Sequence, residues 1–407
     1  MRLGTATQLA CELTPYALVA LVVSTAALGA PLLAPLGAAV ALAMVANAAL
    51  GRCDLATWFL GDAPRSAYDG ATVWITGASQ GLGEALALHL ASLGARLILS
   101  SRREETLRRV CDACEAAGAR AAVPLVLDAR AGSPAMRAKG AEALEIANRW
   151  AEARADPSSK DRERKGLGLD YVFHVAGGSQ HAAAEDTADE VDRDMFELNV
   201  LSAIALTKAV LPAMLERRAG AFCVVGSMAA KCPAPGQATY AATKAALAAF
   251  FHSLRGEVAD RGVAVTVAHP GPIATGLDGQ TRVVFGATLA KSTTKTVDAE
   301  KPTSEGAAAK EEEEGLGGEK DEGAKNAAKK SSGKREKGRL DAGVVARRVA
   351  AGAAHGLDEV VLATQPIMLL RNFVQFVPTV AYRILDKVGP KRTRAARAGK
   401  SMYELKG

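Results

Sequence analysis

Thr76-Gly77-Ala78-Ser79-Gln80-Gly81-Leu82-Gly83 follows the apolar run Ala71–Thr76 and precedes Glu84–Leu93, whose apolar residues recur at helical spacing. A strand that turns through glycines into a helix leaves free backbone N–H groups and the positive helix end where a pyrophosphate can sit. Glycine permits both the tight turn and close approach of a ligand to the backbone. The T-G-x-x-x-G-x-G spacing differs from the commoner G-x-G-x-x-G, and its place between strand and helix is what gives it weight.

Outward from this turn, the chain alternates short apolar runs with helical patterns from about Asp69 to Pro272. Strands are expected at Arg96–Ser100, Ala121–Leu127, Leu169–Val175, Gly220–Val225 and Val263–Ala268, with a further one at Glu359–Ala363. Each is short and apolar on both faces, as parallel strands covered on both sides should be. The fold class is therefore α/β, a doubly wound parallel sheet.

The end of the second strand reads Leu99-Ser100-Ser101-Arg102-Arg103, with no acid before Glu104. An acidic residue here would accept a ribose 2′-hydroxyl and repel a 2′-phosphate. Paired guanidinium donors suit the phosphate instead, so NADP(H) is expected over NAD(H). The plainer reading makes both arginines ordinary surface residues at a helix start. Asp128, closing Leu125-Val126-Leu127-Asp128, is placed to meet the adenine edge.

Ser227 follows the strand ending at Val225; thirteen residues later stands Tyr240, and four further on Lys244. On a helix an i, i+4 pair shares one face. A phenol ionises near pH 10 in water, and a neighbouring ammonium favours its charged form. Such a tyrosine can exchange a proton with a carbonyl or alcohol oxygen, and a serine hydroxyl can orient that oxygen. A bare Y-x-x-x-K is weak; in this order, with the serine and the glycine turn, the combination is strong.

Thr76–Gly83, Asn199, Ser227, Tyr240 and Lys244 resemble the short-chain dehydrogenase/reductase pattern over roughly Asp69 to Thr275. The resemblance implies a Rossmann-like sheet of about seven strands and an Asn199-Ser227-Tyr240-Lys244 tetrad. Asn199 would hold a relay water, and Lys244 would also bind the nicotinamide ribose. The cofactor would contact Gly77, Ser79, Gln80, Gly81, Leu82 and Gly83 in the turn, Ala176 and Gly177 after the fourth strand, and Asn199, Tyr240 and Lys244. His269-Pro270-Gly271-Pro272-Ile273 with Thr275 is similar to the family's segment beside the nicotinamide, bringing in Pro270, Gly271, Ile273 and Thr275. Gly51–Leu55, Leu169–Gly178, Leu206–Arg217 and the stretch from Gln365 onward resemble a narrower branch, the membrane-anchored member-seven type also called retinal short-chain dehydrogenase/reductase four. That branch implies an endoplasmic-reticulum anchor and lipophilic carbonyl or alcohol substrates of retinoid, steroid or lipid type. A homodimer stays open. One departure is His174-Val175-Ala176-Gly177 where the family usually has Asn-Asn-Ala-Gly, and a buried structural role for His174 is expected.

The 407 residues divide into 1–60, an anchor and connector; 69–290, the core; 291–339, an insert in the substrate-lid region; and 340–407, the completion of the core with a basic tail. No charged residue occurs between Glu12 and Arg52, a run long enough to cross a bilayer once and nearly twice. Pro31 and Pro35 interrupt it, leaving one span, a kinked helix or a hairpin. The segment Ala131–Lys165 is helix-like and ends in the charged run Lys160–Lys165, Lys291–Arg339 is a Gly/Ala/Lys/Glu polyampholyte expected to be disordered, and an apolar segment from Ile367 to Leu385 could close the pocket or lie on the membrane. The charge of +6 gathers toward Lys391-Arg392-Thr393-Arg394 and Arg397, which suits anionic headgroups better than nucleic acid; no nucleic-acid partner is expected. Among six cysteines, Cys111 and Cys114 form a single C-x-x-C without a second pair, so no metal site is expected. Two other functions compete: reduction of 3-ketodihydrosphingosine, and a non-catalytic nucleotide-binding scaffold at the membrane.

Overall fold

A computed structural model describes residues 53, 55–153, 168–274, 284–285, 287–288 and 338–398. The expected anchor, most of the polyampholyte insert, the charged run Lys160–Lys165 and Thr275 lie outside the described residues.

Seven parallel strands form one sheet: β1 Thr72–Thr76, β2 Arg96–Ser100, β3 Ala121–Pro124, β4 Tyr171–His174, β5 Gly220–Val225, β6 Val263–Pro270 and β7 Glu359–Leu362. Their spatial order is β7-β6-β5-β4-β1-β2-β3. Register runs through Ile75↔Leu99 and Ile75↔Phe173 at the centre, and Val361↔His269 at the β7 edge. The order reverses between β1 and β4, and ligands of open α/β sheets bind outside the carboxyl ends at such a switch point.

Helices α1 Gly81–Ser92, α2 Glu104–Ala116 and α7 Ala342–His355 cover one face, while α3 Ser133–Glu152, α5 Ser202–Arg217 and α6 Ala238–Glu257 cover the other. Alternation along β1 decides which core each residue joins. Val73 and Ile75 pack with Leu86, Leu90, Val345 and Val349, whereas Trp74 packs with Met136, Val210, Phe222 and Phe251. Burying each large apolar side chain contributes about 1.5–3 kcal/mol. The indole N–H of Trp74 donates to Ser100 Oγ at 2.9 Å, which meets the polar cost of burying tryptophan centrally.

The run from α4 (Asp189–Phe196) through the π-turn Glu197–Leu201 into α5 is, among the described residues, the one helix long and apolar enough to cross a membrane. Half of its apolar window is buried, with Leu206, Val210 and Met214 in the sheet core, so core packing accounts for its hydrophobicity.

Several boundaries differ from the sequence reading. β3 stops at Pro124, since proline has no N–H for a ladder; Leu125 and Leu127 N–H groups still donate to Leu99 and Ser101 carbonyls. Asp128 thus sits in the loop beyond β3. α3 begins at Ser133 rather than Ala131 and is described to Glu152. The apolar segment after Ile367 is two helices, α8 Ile367–Phe376 and α9 Pro378–Arg397, broken where Pro378 opens the second.

Candidate active site

The glycine turn forms the floor of a cleft of about 560 Å³ at the carboxyl ends of the strands. Gly77 has φ +72°, and a Cβ there would lie 2.7 Å from Ala176 Cα; a Cβ at Gly83 would run into the Gly77 carbonyl oxygen. These positions therefore tolerate no side chain, and the backbone cradle is shaped to let a phosphate approach closely. Ser79, Gln80, Gly81 and Leu82 line the same cleft.

Beyond β2, Arg102 and Arg103 are exposed at the cleft's edge. Arg103 Nη2 donates to Gln80 Oε1 at 3.0 Å, which ties the β2 end to the glycine turn. Glu104 is turned away into a pair with Arg108 at 2.5 Å. Among the described residues Arg102 has no ion-pair partner. Asp128 lines the cleft, accepts from the Arg130 N–H at 3.1 Å, and shares the Arg130 guanidinium with Asp194.

The opposite wall carries Ser227, Tyr240 and Lys244, all on the cleft. Ser227 caps a short 3₁₀ turn, its Oγ accepting from the Ala229 N–H at 3.1 Å. Tyr240 lies in the first turn of α6, and Lys244 one turn on. The ammonium stands 6.0 Å from the Tyr240 ring centroid and donates to the Val225 carbonyl at 2.9 Å. Burial pulls the Lys244 amine down to about 8, because desolvation penalises its charged form. At neutral pH it is still mostly protonated.

Asn199 does not line the cleft; it sits on the π-turn just behind it. Its Oδ1 accepts from the Gly178 N–H at 2.8 Å, while Nδ2 donates to the Gly178 carbonyl at 3.0 Å and to Thr243 Oγ1 at 3.0 Å. Single π-turns within helices recur at functional sites. Ala176, Gly177, Pro270, Gly271 and Ile273 all line the cleft between the two walls. A Cβ on Gly177 would meet Asn199 Oδ1 at 3.0 Å and Lys244 Nζ at 3.3 Å, so this glycine lets strand end, asparagine and lysine converge.

His174 faces away from the cleft. Its Nε2 bonds Thr207 Oγ1 at 2.9 Å between Phe222 and Phe251, and burial pulls its pKa down to about 3. It stays neutral and braces β4 against α5. Cys111 and Cys114 are buried on the inner face of α2, with burial pushing the thiols up to about 11 and 12, which leaves them inert as nucleophiles.

The sequence left the apolar segment Met368–Pro378 open between closing the pocket and lying on the membrane, and did not name the residues of an outer wall. Ile367 and Leu370 of α8 and Ile384, Leu385 and Val388 of α9 make it apolar, and Arg392 closes its rim through the Pro235 carbonyl at 3.0 Å and Gln237 Oε1 at 3.3 Å. No spacing announces such residues, because they reach the cleft only by tertiary packing. Thr243, which holds Asn199, carried a signal only in its place beside Lys244.

A family model described as short chain dehydrogenase matches residues 71–145 and 154–283. Dehydrogenase/reductase SDR family member 7 of Homo sapiens is 30% identical over 329 residues, which cover 80% of each chain. Dehydrogenase/reductase SDR family member 7B of Bos taurus is 34% identical over 51% of this chain and 59% of its own. A short-chain dehydrogenase from Streptomyces avermitilis superposes with a TM-score of 0.53 at 24% identity, over 79% of this chain and 98% of that one, and shares the fold. Taken with the glycine cradle and the seven-stranded order, these matches make the chain a member of the short-chain dehydrogenase/reductase family, an oxidoreductase acting on CH–OH groups with a nicotinamide cofactor, of the member-seven type.

Proposed function

We propose that the protein is an NADP(H)-preferring enzyme that interconverts a carbonyl and an alcohol on a lipophilic substrate of retinoid, steroid or lipid type, with Tyr240 exchanging the proton. The observation that carries this reading is the convergence of Ser227, Tyr240 and Lys244 on a cleft whose outer wall is aliphatic. When bound, the nicotinamide supplies or accepts the hydride. The chain's own residues do the rest.

In reduction, the Tyr240 hydroxyl donates a proton to the substrate oxygen as charge builds there. Ser227 Oγ–H donates to the same oxygen and fixes its position, which stabilises that charge. Lys244, its ammonium anchored on the Val225 carbonyl, stabilises the phenolate left on Tyr240. Asn199 keeps the π-turn and α6 in register through Gly178 and Thr243. In oxidation the proton moves the other way, from the alcohol to Tyr240.

The residues present fit the cofactor: the cradle at Gly77 and Gly83 excludes any Cβ, and Lys244 Nζ closes against Gly177. Arg102 and Arg103, with Glu104 held by Arg108, offer a 2′-phosphate two guanidinium groups. The aliphatic wall from α8 and α9 favours a hydrocarbon body over a sugar or acid.

Membrane association follows from the same end of the molecule. Cys53, just beyond the long apolar run, makes an antiparallel bridge to Leu362 at the close of β7, a few residues before α8 begins. Phe376, Val377 and Val380 are exposed at the α8–α9 corner, with Arg383, Lys387 and Lys391 following along α9. An apolar corner flanked by cations suits the headgroup boundary of the endoplasmic-reticulum bilayer. The substrate would then enter the cleft from lipid.

The test is NADPH oxidation with a panel of retinoid, steroid and quinone carbonyls by wild type and Tyr240→Phe. Turnover should fall about 10²–10⁴-fold in the variant. Activity untouched by the replacement would remove Tyr240 as the acid, and absence of turnover in both proteins despite NADPH binding would favour the scaffold.

A further inference from the structure

Behind Ser227, on the side away from the cleft, four nitrogen- and oxygen-bearing side chains from separate elements converge. His252 lies on α6, His269 near the end of β6, Glu359 at the start of β7, and Lys231 after the 3₁₀ turn that follows β5. None of the four lines the cleft. One ligand atom from each of His252, His269 and Glu359 lies within 4.8 Å of the other two. His252 Nε2 is 2.9 Å and His269 Nε2 3.6 Å from the same carboxylate oxygen, Glu359 Oε1. Lys231 Nζ stands 2.5 Å from that oxygen.

The orientation of the His269 ring is set by a backbone carbonyl. Its Nδ1 lies 3.1 Å from the Ser227 carbonyl, which can only accept, so Nδ1 carries the proton. A neutral ring then points the Nε2 lone pair at a carboxylate. The side chain is fully buried, and neither its Nε2 nor that of His252 makes an aligned hydrogen bond.

A metal-binding histidine ordinarily donates its second ring N–H to a carbonyl or carboxylate, which fixes the tautomer and aims the other nitrogen at the ion. His269 already has that arrangement through Ser227. We propose that His252 Nε2, His269 Nε2 and Glu359 form a zinc site, a two-imidazole, one-carboxylate set closed by water. This donor set and its spread suit zinc at about 2.0–2.2 Å from each ligand after small side-chain adjustments. Lys231 is the competitor: it occupies Glu359 in the metal-free state and swings out on its flexible, partly exposed stem when the ion enters. The ion ties α6, β6 and β7 together behind the Ser227 turn, and its role is structural rather than catalytic.

The test is calorimetric titration of the full chain with zinc chloride alone, with thermal unfolding followed in parallel. Wild type should take up one ion per chain with micromolar affinity and unfold at higher temperature when loaded, since a ligand bound only to the native state stabilises it. His252→Ala, at a half-buried position, and Glu359→Gln should each weaken binding by about tenfold or more. Lys231→Met should tighten it. Absence of saturable uptake by wild type, or uptake unchanged by both His252→Ala and Glu359→Gln, overturns the proposal.

Discussion

The two walls of the cleft are built on different principles. The inner wall is largely backbone: glycines at a strand–helix turn, a π-turn, and carbonyls at strand ends, with the Ser227, Tyr240 and Lys244 side chains held among them by the hydrogen-bonded sheet and α6. The outer wall is side chains of α8 and α9, two helices with Phe376 and Val377 exposed to 65% and 45%. A wall made of backbone recognises the part of the ligand that never varies, and it tolerates little change. A wall made of aliphatic side chains on a peripheral helix pair can vary without disturbing the sheet, so specificity lives there.

That contrast can be broken at its strongest point first. Gly83→Ala sets a Cβ against the Gly77 carbonyl, so the turn must open, and NADPH affinity, read by fluorescence titration, should fall on the order of 10²-fold. Binding close to wild type would mean that the cradle is softer than its geometry.

Next comes Lys244, the buried cation of the inner wall. Its folded pKa of about 8 lies below the ordinary 10.5, so the fold disfavours the ammonium. The penalty is fully present below about pH 8 and is relieved as pH rises toward 10.5. Wild-type cofactor-free protein should therefore gain about 3 kcal/mol of stability across that window relative to Lys244→Met. Chemical denaturation of both proteins at several pH values checks it, and parallel curves would refute it.

Arg102→Ala sharpens the comparison within the inner wall. Losing one charge-assisted contact is worth about 1.5–3 kcal/mol, or roughly tenfold, and NADPH should suffer more than NADH. Equal losses in the two Michaelis constants would defeat the 2′-phosphate assignment. The smallest effect belongs to the outer wall: Leu370→Ala should raise KM a few-fold for a long hydrocarbon carbonyl and leave a small one unchanged. A matching change for both substrates would remove α8 from substrate recognition.

The inner wall was readable because each of its parts is local. The turn Thr76–Gly83 is contiguous, Tyr240 and Lys244 are one helical turn apart, and strands β2 and β5 end where their apolar runs end. β3 was read too long because its apolar residues continue past Pro124, and only the missing proline N–H stops the ladder. α8 and α9 read as one apolar segment because composition does not register the break at Pro378. His174 was legible as a departure, but its partner Thr207 was not, since that bond spans β4 to α5.

Periodicity and local motif thus determined the layer architecture, the glycine cradle and the Ser227-Tyr240-Lys244 series, because short-range backbone geometry alone brings those groups into relation. Only the tertiary structure decided the aliphatic outer wall, the retreat of Asn199 behind Gly177 and Gly178, and the meeting of His252, His269 and Glu359. Residues distant along the chain become neighbours only once parallel strands pair side by side, and the linear order carries no record of which strand ends will share a side of the sheet.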